Sequence, residues 1–391
     1  MPDSIQVRDP VEAVRSLAGL IESHAAEGES LRRLAPPVQD ALLKAGLFRM
    51  LLPREHGGLE ISPSTFLAAI EAAARLDGSV AWCLCQGNGC AMIGAYLAPE
   101  VGQHIFGGDP RAVVAWGPGK AEARVVSGGY RVTGRLAFAS GGRHATWLGC
   151  HVPVIETDGS YRLGRDGTPV QVTALFPQSS ARWIDTWDVI GLCATGSDDF
   201  EVRDLFVPDA HVTIRDRDET RVSAGRLFVM PTMSMYATGF SATAIGIARA
   251  MLDALCDLAY SKTPRLASSK LSDNPVFQAE LARCEARLRS ARALLTSEVE
   301  AIWKDVVRTG RLSITDRYRI RLAATHGIHE ARTVAETVWD QAGATAIRTG
   351  SPFERRYRDI RTVTQQLQGR SSHFRTVGAF LLGHPADLSV V

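Results

Sequence analysis

The chain has 391 residues, 45% hydrophobic and 22% charged, ordinary globular proportions that argue against a disordered or fibrous protein. Lys plus Arg outnumber Asp plus Glu by only 44 to 42, so the broad cationic footprint that nucleic acid or an anionic bilayer requires is missing. The opening MPDSIQVRDP has no signal-peptide core and no run reaches the roughly 18 apolar residues of a membrane span, which points to a cytoplasmic protein of two or three segments sharing one core.

Residues 11 to about 108 read as helices, because apolar positions recur every three or four residues. Leu31 to Leu47 is one helix, closed by Gly46 and followed by Pro53 and Gly57-Gly58. Thr65 to Leu76 is another, opened by Ser62-Pro63-Ser64 and stopped at Asp77-Gly78, and Val80 to Leu97 reads as a buried third. Among seven cysteines only Cys83, Cys85 and Cys90 cluster. Their C-x-C-x4-C spacing lacks the second pair a zinc site needs, so they read as small buried thiols and no metal is expected.

From Ala112 the rhythm changes to short β-branched or aromatic runs, AVVAW, ARVVS, YRVTG, ATWLGCHV, VQVTALF and DDFEVRDLFV, separated by turn residues. Ser127-Gly128-Gly129 joins two of them as a hairpin, and Asp158-Gly159 and Asp166-Gly167 mark further turns. After about Ser223 the helical period returns, most plainly in Val276, Phe277, Leu281, Cys284, Leu288, Ala291, Leu295 and Val299. Four long helices are predicted, at about 233–262, 275–308, 314–342 and 354–382, packed as a bundle. The chain is thus mainly α with a central β segment: an N-terminal helical domain (1–111), a middle β domain (112–222) and a C-terminal helical bundle (223–391). No repeat or low-complexity linker separates them, so the β segment should be wedged between the helical parts.

No G-x-S-x-G, Walker, H-E-x-x-H or G-x-G-x-x-G element stands in a convincing context, which removes the commonest hydrolase, NTPase, metalloprotease and Rossmann readings. Three subtler features remain. In Leu136 to Trp147 a strand ends on Ser140-Gly141-Gly142, where small residues let backbone approach a planar ligand and Ser140 offers a hydroxyl; a Gly-rich hairpin would look the same. In residues 187–200, Thr195, Gly196 and Ser197 form a hydroxyl-bearing turn suited to ring carbonyls or a pyrophosphate, or simply a capped turn. Glu354 to Arg361 carries four arginines that could pin an acidic cofactor or form a solvated cationic face.

Order and spacing together resemble the acyl-CoA dehydrogenase superfamily over nearly the whole chain. The resemblance is carried by Gly46-Leu47 leading to Pro53-Arg-Glu-His-Gly-Gly58, then Ala74 to Trp82, Phe138-Ala-Ser-Gly141, Gly191 to Ser197 and Val207-Pro208. It continues in Tyr260-Ser-Lys-Thr-Pro-Arg265 with Phe277-Gln278, and in Tyr357-Arg-Asp359. It implies a β-barrel-like middle domain, a four-helix C-terminal bundle, and a flavin between them. The implied cofactor contacts come from Trp116, Phe138, Ser140, Thr195 and Ser197, and from Arg358 and Asp359. It also implies a homotetramer, a dimer of dimers in which Arg265 reaches cofactor phosphate across a subunit boundary.

Dehydrogenases of the superfamily need a carboxylate to remove the proton α to a thioester. Where many have Glu-Gly, this chain has Leu367, Gln368 and Gly369, and on the stretch 240–253 only Asp253 is acidic. The better resemblance is to the oxygenase component of two-component flavin-dependent monooxygenases, of the 4-hydroxyphenylacetate, secosteroid phenol and dibenzothiophene type. It implies reduced FMN or FAD from a separate flavin reductase, a C4a-(hydro)peroxyflavin, and a small hydrophobic or aromatic substrate. Ser140 is then the partner of flavin N5, with Gln366, His373 and Asn88 near the oxygen. Two family histidines are replaced here by Gln365-Gln366 and by the run Gln86 to Gly89. Trp82, Gln86 and Met235 are candidate substrate contacts, in an apolar pocket that would also take in Trp183. Two alternatives stay open: an acyl-CoA dehydrogenase or oxidase with bound FAD, and a non-catalytic scaffold of the same fold.

Overall fold

The structure is a computed structural model in which residues 9–387 are described. Its first part is helical: α1 (Pro10–Ser16), α2 (Ala18–Ser23), α3 (Ala25–Leu31), α4 (Pro36–Lys44), α5 (Pro63–Leu76), α6 (Gly78–Ala91) and the single turn α7 (Pro99–Gly102). The helix expected over Leu31 to Leu47 is divided. Arg32 ends α3 in the left-handed region at φ 52°, and α4 begins afresh on Pro36. Tandem prolines lack the N–H that continues a helix, so they open one and cannot lie inside it. The third expected helix is shorter than its apolar run: α6 ends at Ala91 and tightens into a 3-10 turn over Met92–Tyr96. Asp77 caps α6 by accepting from Val80 N at 3.0 Å.

The strands are β1 (Val114–Trp116), β2 (Gly119–Val126), β3 (Gly129–Leu136), β4 (Trp147–Ile155), β5 (Gln171–Pro177), β6 (Arg182–Ile184), β7 (Asp199–Pro208) and β8 (Val212–Thr213). They form one mixed sheet in the order β6-β7-β3-β2-β4-β5-β8, with β1 parallel to β4. The expected hairpin is β2–β3, where Val126 faces Gly129 and Gly128 takes φ 76°, a value an L side chain resists. Asp158 and Asp166 close the later turns by accepting from Ser160 N and Thr168 N. Leu148, Val152, Phe176 and Phe200 of the sheet share one buried cluster with residues of both helical parts, so the β segment is wedged into the body of the molecule.

The bundle comprises α8 (Thr232–Ser261), α9 (Pro275–Thr309), α10 (Ile314–Ala342), α11 (Glu354–Val363) and α12 (Ser372–Leu381). The α9 stripe Phe277, Cys284, Leu288, Ala291, Leu295 and Val299 is buried as its spacing requires, whereas Val276 is exposed. The single helix expected over 354–382 is broken in two. Between α11 and α12 the chain makes a 3-10 turn at Leu367–Gly369, capped by Gln366, whose side-chain oxygen accepts from Gln368 N at 2.7 Å. No described helix is long and apolar enough to cross a membrane.

Asn88 lies in the middle of α6, fully buried, and its amide is committed to backbone. Its Oδ1 accepts from Leu51 N at 3.1 Å, and its Nδ2 donates to Leu47 O at 2.8 Å and Leu84 O at 2.9 Å. The expected place beside bound oxygen is therefore corrected: Asn88 clamps the 47–51 segment onto α6. Asn88→Ala should strand Leu51 N–H and Leu47 C=O in the core and cost about 2–4 kcal/mol, read by denaturant unfolding. A loss under about 0.5 kcal/mol, within the range of an ordinary surface substitution, would contradict the clamp.

Candidate active site

β3 ends at Leu136 and delivers the turn 137–142 beside the loop 187–198 that precedes β7. Backbone bonds stitch the two together: Gly141 N donates to Thr195 O at 2.8 Å and Ala139 N to Asp198 O at 3.2 Å. Phe138 holds φ 53° and is 62% exposed, its ring edge-on to Trp187 at 6.2 Å. Beside it Ser140 is 7% exposed.

Three hydroxyls meet behind Phe138. Ser140 Oγ lies 2.7 Å from Ser197 Oγ, which lies 2.7 Å from Thr195 Oγ1, and Thr195 Oγ1 donates to Leu192 O at 2.8 Å. Each hydroxyl has one proton, so one commitment decides the rest. Thr195 gives its proton to a carbonyl and must accept from Ser197. Ser197 must in turn accept from Ser140. Trp82 Nε1 donates to Ser140 Oγ at 3.0 Å, leaving Ser140 with its proton committed inward and one lone pair unused.

An aromatic wall stands next to this relay. Trp82 stacks on Phe240 with centroids 4.0 Å apart, and Tyr236 stacks on Phe240 at 5.7 Å. Gln86 Nε2 donates to Trp116 O at 3.4 Å, and Trp116 packs edge-on to His151 at 4.8 Å. Thus Trp82, Gln86, Trp116 and Ser140 come together, with Met235 buried one residue before Tyr236. Trp183 is apart from this wall, on β6 against Phe200 and beneath Arg143, with its ring edge packed on Gly142 of the turn. The sequence reading missed Tyr236 and Phe240; their i,i+4 spacing on α8 was the available signal.

The arginines of α11, expected either to pin a cofactor or to form a solvated face, are engaged by the protein itself. Arg358 donates to Glu29 at 2.5 Å, to Ile190 O at 2.6 Å and to Glu354 at 2.9 Å, so its guanidinium is already surrounded by two carboxylates and a carbonyl. Arg356 donates to Pro352 O and Arg75 O, and Arg361 pairs with Glu336. Asp359 is buried beneath the loop, where its Oδ1 accepts from Leu192 N at 2.6 Å. A Cβ on Gly78 would come within 2.9 Å of its Oδ2, so α6 and α11 approach as closely as glycine allows. Burial, then the Asp77 carboxylate nearby, pushes the Asp359 carboxyl up to about 7.

Asp253 is no free base, since it pairs with Arg75 at 2.9 Å and Arg249 at 2.7 Å on the outer face of α8. Gln366 and His373 lie on either side of the turn that interrupts the last helix. His373 is buried with Nε2 2.7 Å from Leu367 O, the tautomer that donates to a carbonyl, and burial lowers its pKa. That bond makes His373 a brace for the turn. Arg265 is exposed in the loop after α8, with no hydrogen bond or ion pair among the described residues.

The donor set fits a flavin. A planar ring has an open ledge at Phe138, small residues beside it, and hydroxyls at hand for a ring nitrogen, and no acid among the residues that form the ledge. This chemistry, at the seam of a mixed sheet and a helical bundle, defines a flavoprotein of the acyl-CoA dehydrogenase architecture. The family models for the acyl-CoA dehydrogenase N-terminal and C-terminal domains match residues 6–105 and 238–368. Indole-3-acetate monooxygenase of Pseudomonas putida is 32% identical over 91% of this chain and 89% of its own. The flavin-dependent monooxygenase oxygenase subunit HsaA of Rhodococcus jostii is 28% identical over 89% and 91%. The crystal structure of 3-HSA hydroxylase from Rhodococcus sp. RHA1 superposes with TM-score 0.90 at 25% identity, covering 98% of this chain and 99% of that one. The chain belongs to the acyl-CoA dehydrogenase superfamily, in its flavin-dependent monooxygenase branch.

Asp359 gives the site a pH dependence. Its folded pKa of about 7 lies above the ordinary 3.8, so the stability it contributes is fully present below about pH 4 and is lost as pH rises through 7. Asp359→Asn keeps an oxygen for Leu192 N and removes the charge. It should therefore be more stable than wild type at pH 8, by on the order of 1–4 kcal/mol, with the gap closing toward pH 4. Thermal unfolding across that range checks it; parallel curves would contradict it.

Proposed function

We propose that this protein is the oxygenase component of a two-component system, taking reduced FMN or FAD by diffusion from a separate flavin reductase and using O2 to oxygenate a small aromatic substrate. The carrying observation is the direction of the hydroxyl relay. Reduced flavin presents N5–H, a donor, whereas oxidised flavin presents N5 as an acceptor. Ser140, with its proton held by Ser197 and a lone pair left over, complements the reduced form. When bound, reduced flavin supplies the electrons that activate oxygen.

The chain's own residues orient and shield. Trp82 fixes the Ser140 oxygen through its indole N–H, and the stacked, buried rings of Trp82, Phe240 and Tyr236 keep that side of Ser140 dry. That wall also suits an indole or phenol ring, so indole-3-acetate, named in the Pseudomonas relative, is the first substrate to try. An amide at Gln368 cannot deprotonate a thioester, and Asp253 is tied to two arginines, which speaks against the dehydrogenase reading. The same reading has the bundles assembling as a homotetramer; the exposed loop carrying Tyr260, Arg265 and Leu266 supports it.

Protein given reduced FMN, oxygen and an aromatic substrate should yield oxygenated product in place of hydrogen peroxide. Ser140→Ala should lower product formed per flavin oxidised. Ser197→Ala should free the Ser140 proton and raise affinity for oxidised relative to reduced flavin by about 2- to 13-fold, the worth of one hydrogen bond. An unchanged affinity ratio would contradict the relay.

A further inference from the structure

Arg321 on α10 is 1% exposed, and among the described residues no carboxylate lies within ion-pair distance of it. A guanidinium out of water normally brings a carboxylate with it, because an unpaired buried charge is strongly unfavourable. Here its protein partner is neutral: Arg321 donates to Gln368 Oε1, while its Nε is buried with no acceptor. Burial alone lowers its pKa to about 10, with no carboxylate opposing the shift.

The neighbours add donors. Gln366 Nε2 and the Thr325 hydroxyl, one helical turn from Arg321 on α10, are buried without partners. Gln368 has its oxygen held by Arg321, so its Nε2 points the other way and finds only Met233 Sδ at 3.9 Å. Such a surplus of donors around an unbalanced positive charge calls for an acceptor-only, negatively charged group.

Position supplies the second argument. Met233, Tyr236 and Phe240 are spaced i, i+3, i+7 and so share one face of α8. The face that builds the aromatic wall therefore runs directly into the Arg321–Gln368 pair, with a rise of about 4.5 Å from Met233 to Tyr236. A ring against Tyr236 and Phe240 would place a short acidic arm at Gln368.

We propose that Arg321, with Gln368 and Gln366, is the receptor for a carboxylate on the substrate, so that the protein acts on aromatic acids. This rests on the proposed function for the ring's position, but its test needs no oxygen chemistry. Anaerobic calorimetry would compare indole-3-acetate, phenylacetate and benzoate, each against its neutral primary amide, on the protein with and without reduced FMN. Wild type should bind at least one acid ten-fold or more tightly than its amide. Arg321→Met should bring acid and amide to equal affinity, and Arg321→Lys should restore part of the preference. No preference in wild type for any pair overturns the proposal even if the variants fail to fold, as does a preference that survives in Arg321→Met. A protein that prefers acids through Arg321 yet oxygenates none of them would leave this inference standing and remove the functional one.

Discussion

Thr195 gives its one proton to the carbonyl of Leu192, and the site follows from that bond. A hydroxyl that has donated must accept, so the direction runs without choice through Ser197 to Ser140. Leu192 is itself held from the bundle side by Asp359. A carboxyl on α11 thereby holds, through one residue and three side chains, the direction in which the Ser140 hydroxyl points its proton. None of the four bonds is strong alone; their sequence is what carries information.

The arginines illustrate a second economy of the fold. Those of α11 are matched by Glu29, Glu354, Glu336 and Asp77 or by carbonyls, and Asp253 is matched by Arg75 and Arg249. Charges near the site are thus paired off in architecture, which leaves the ring environment neutral and hydroxylic. Arg321 stands apart because it is buried and unmatched. At Leu367 and Gln368, where the resemblance puts the base of many dehydrogenases, this chain has an alkyl group and an amide held by a buried cation, an arrangement that cannot take a proton from carbon but can hold an anion.

Much of this was legible in the sequence. Three-part organisation followed from the change in apolar period, and Ser140, Thr195 and Ser197 stood out as hydroxyls at strand ends next to glycine. Their connection was not legible, since it depends on two loops far apart in the chain being stitched at Gly141 and Thr195. The break before α12 was marked in the sequence by Gly369 alone, since Gln365 to Gly369 contains no proline, and the side chain of Gln366 turning back on Gln368 N makes the stop. Asn88 misled because a polar residue on an apolar helix reads equally as ligand or clamp. Arg321 could have been noticed: Tyr318, Arg321, Thr325 and Ile328 fall on one buried stripe of α10, where an arginine has no ordinary reason to be.

The most direct measurement is an anaerobic crystal structure of the protein with reduced FMN. The isoalloxazine should lie on the Phe138 ledge with N5 within about 3.2 Å of Ser140 Oγ, and the Ser140–Ser197–Thr195 contacts should be unbroken. A ring bound elsewhere, or seated there with N5 turned away from Ser140, would contradict this placement.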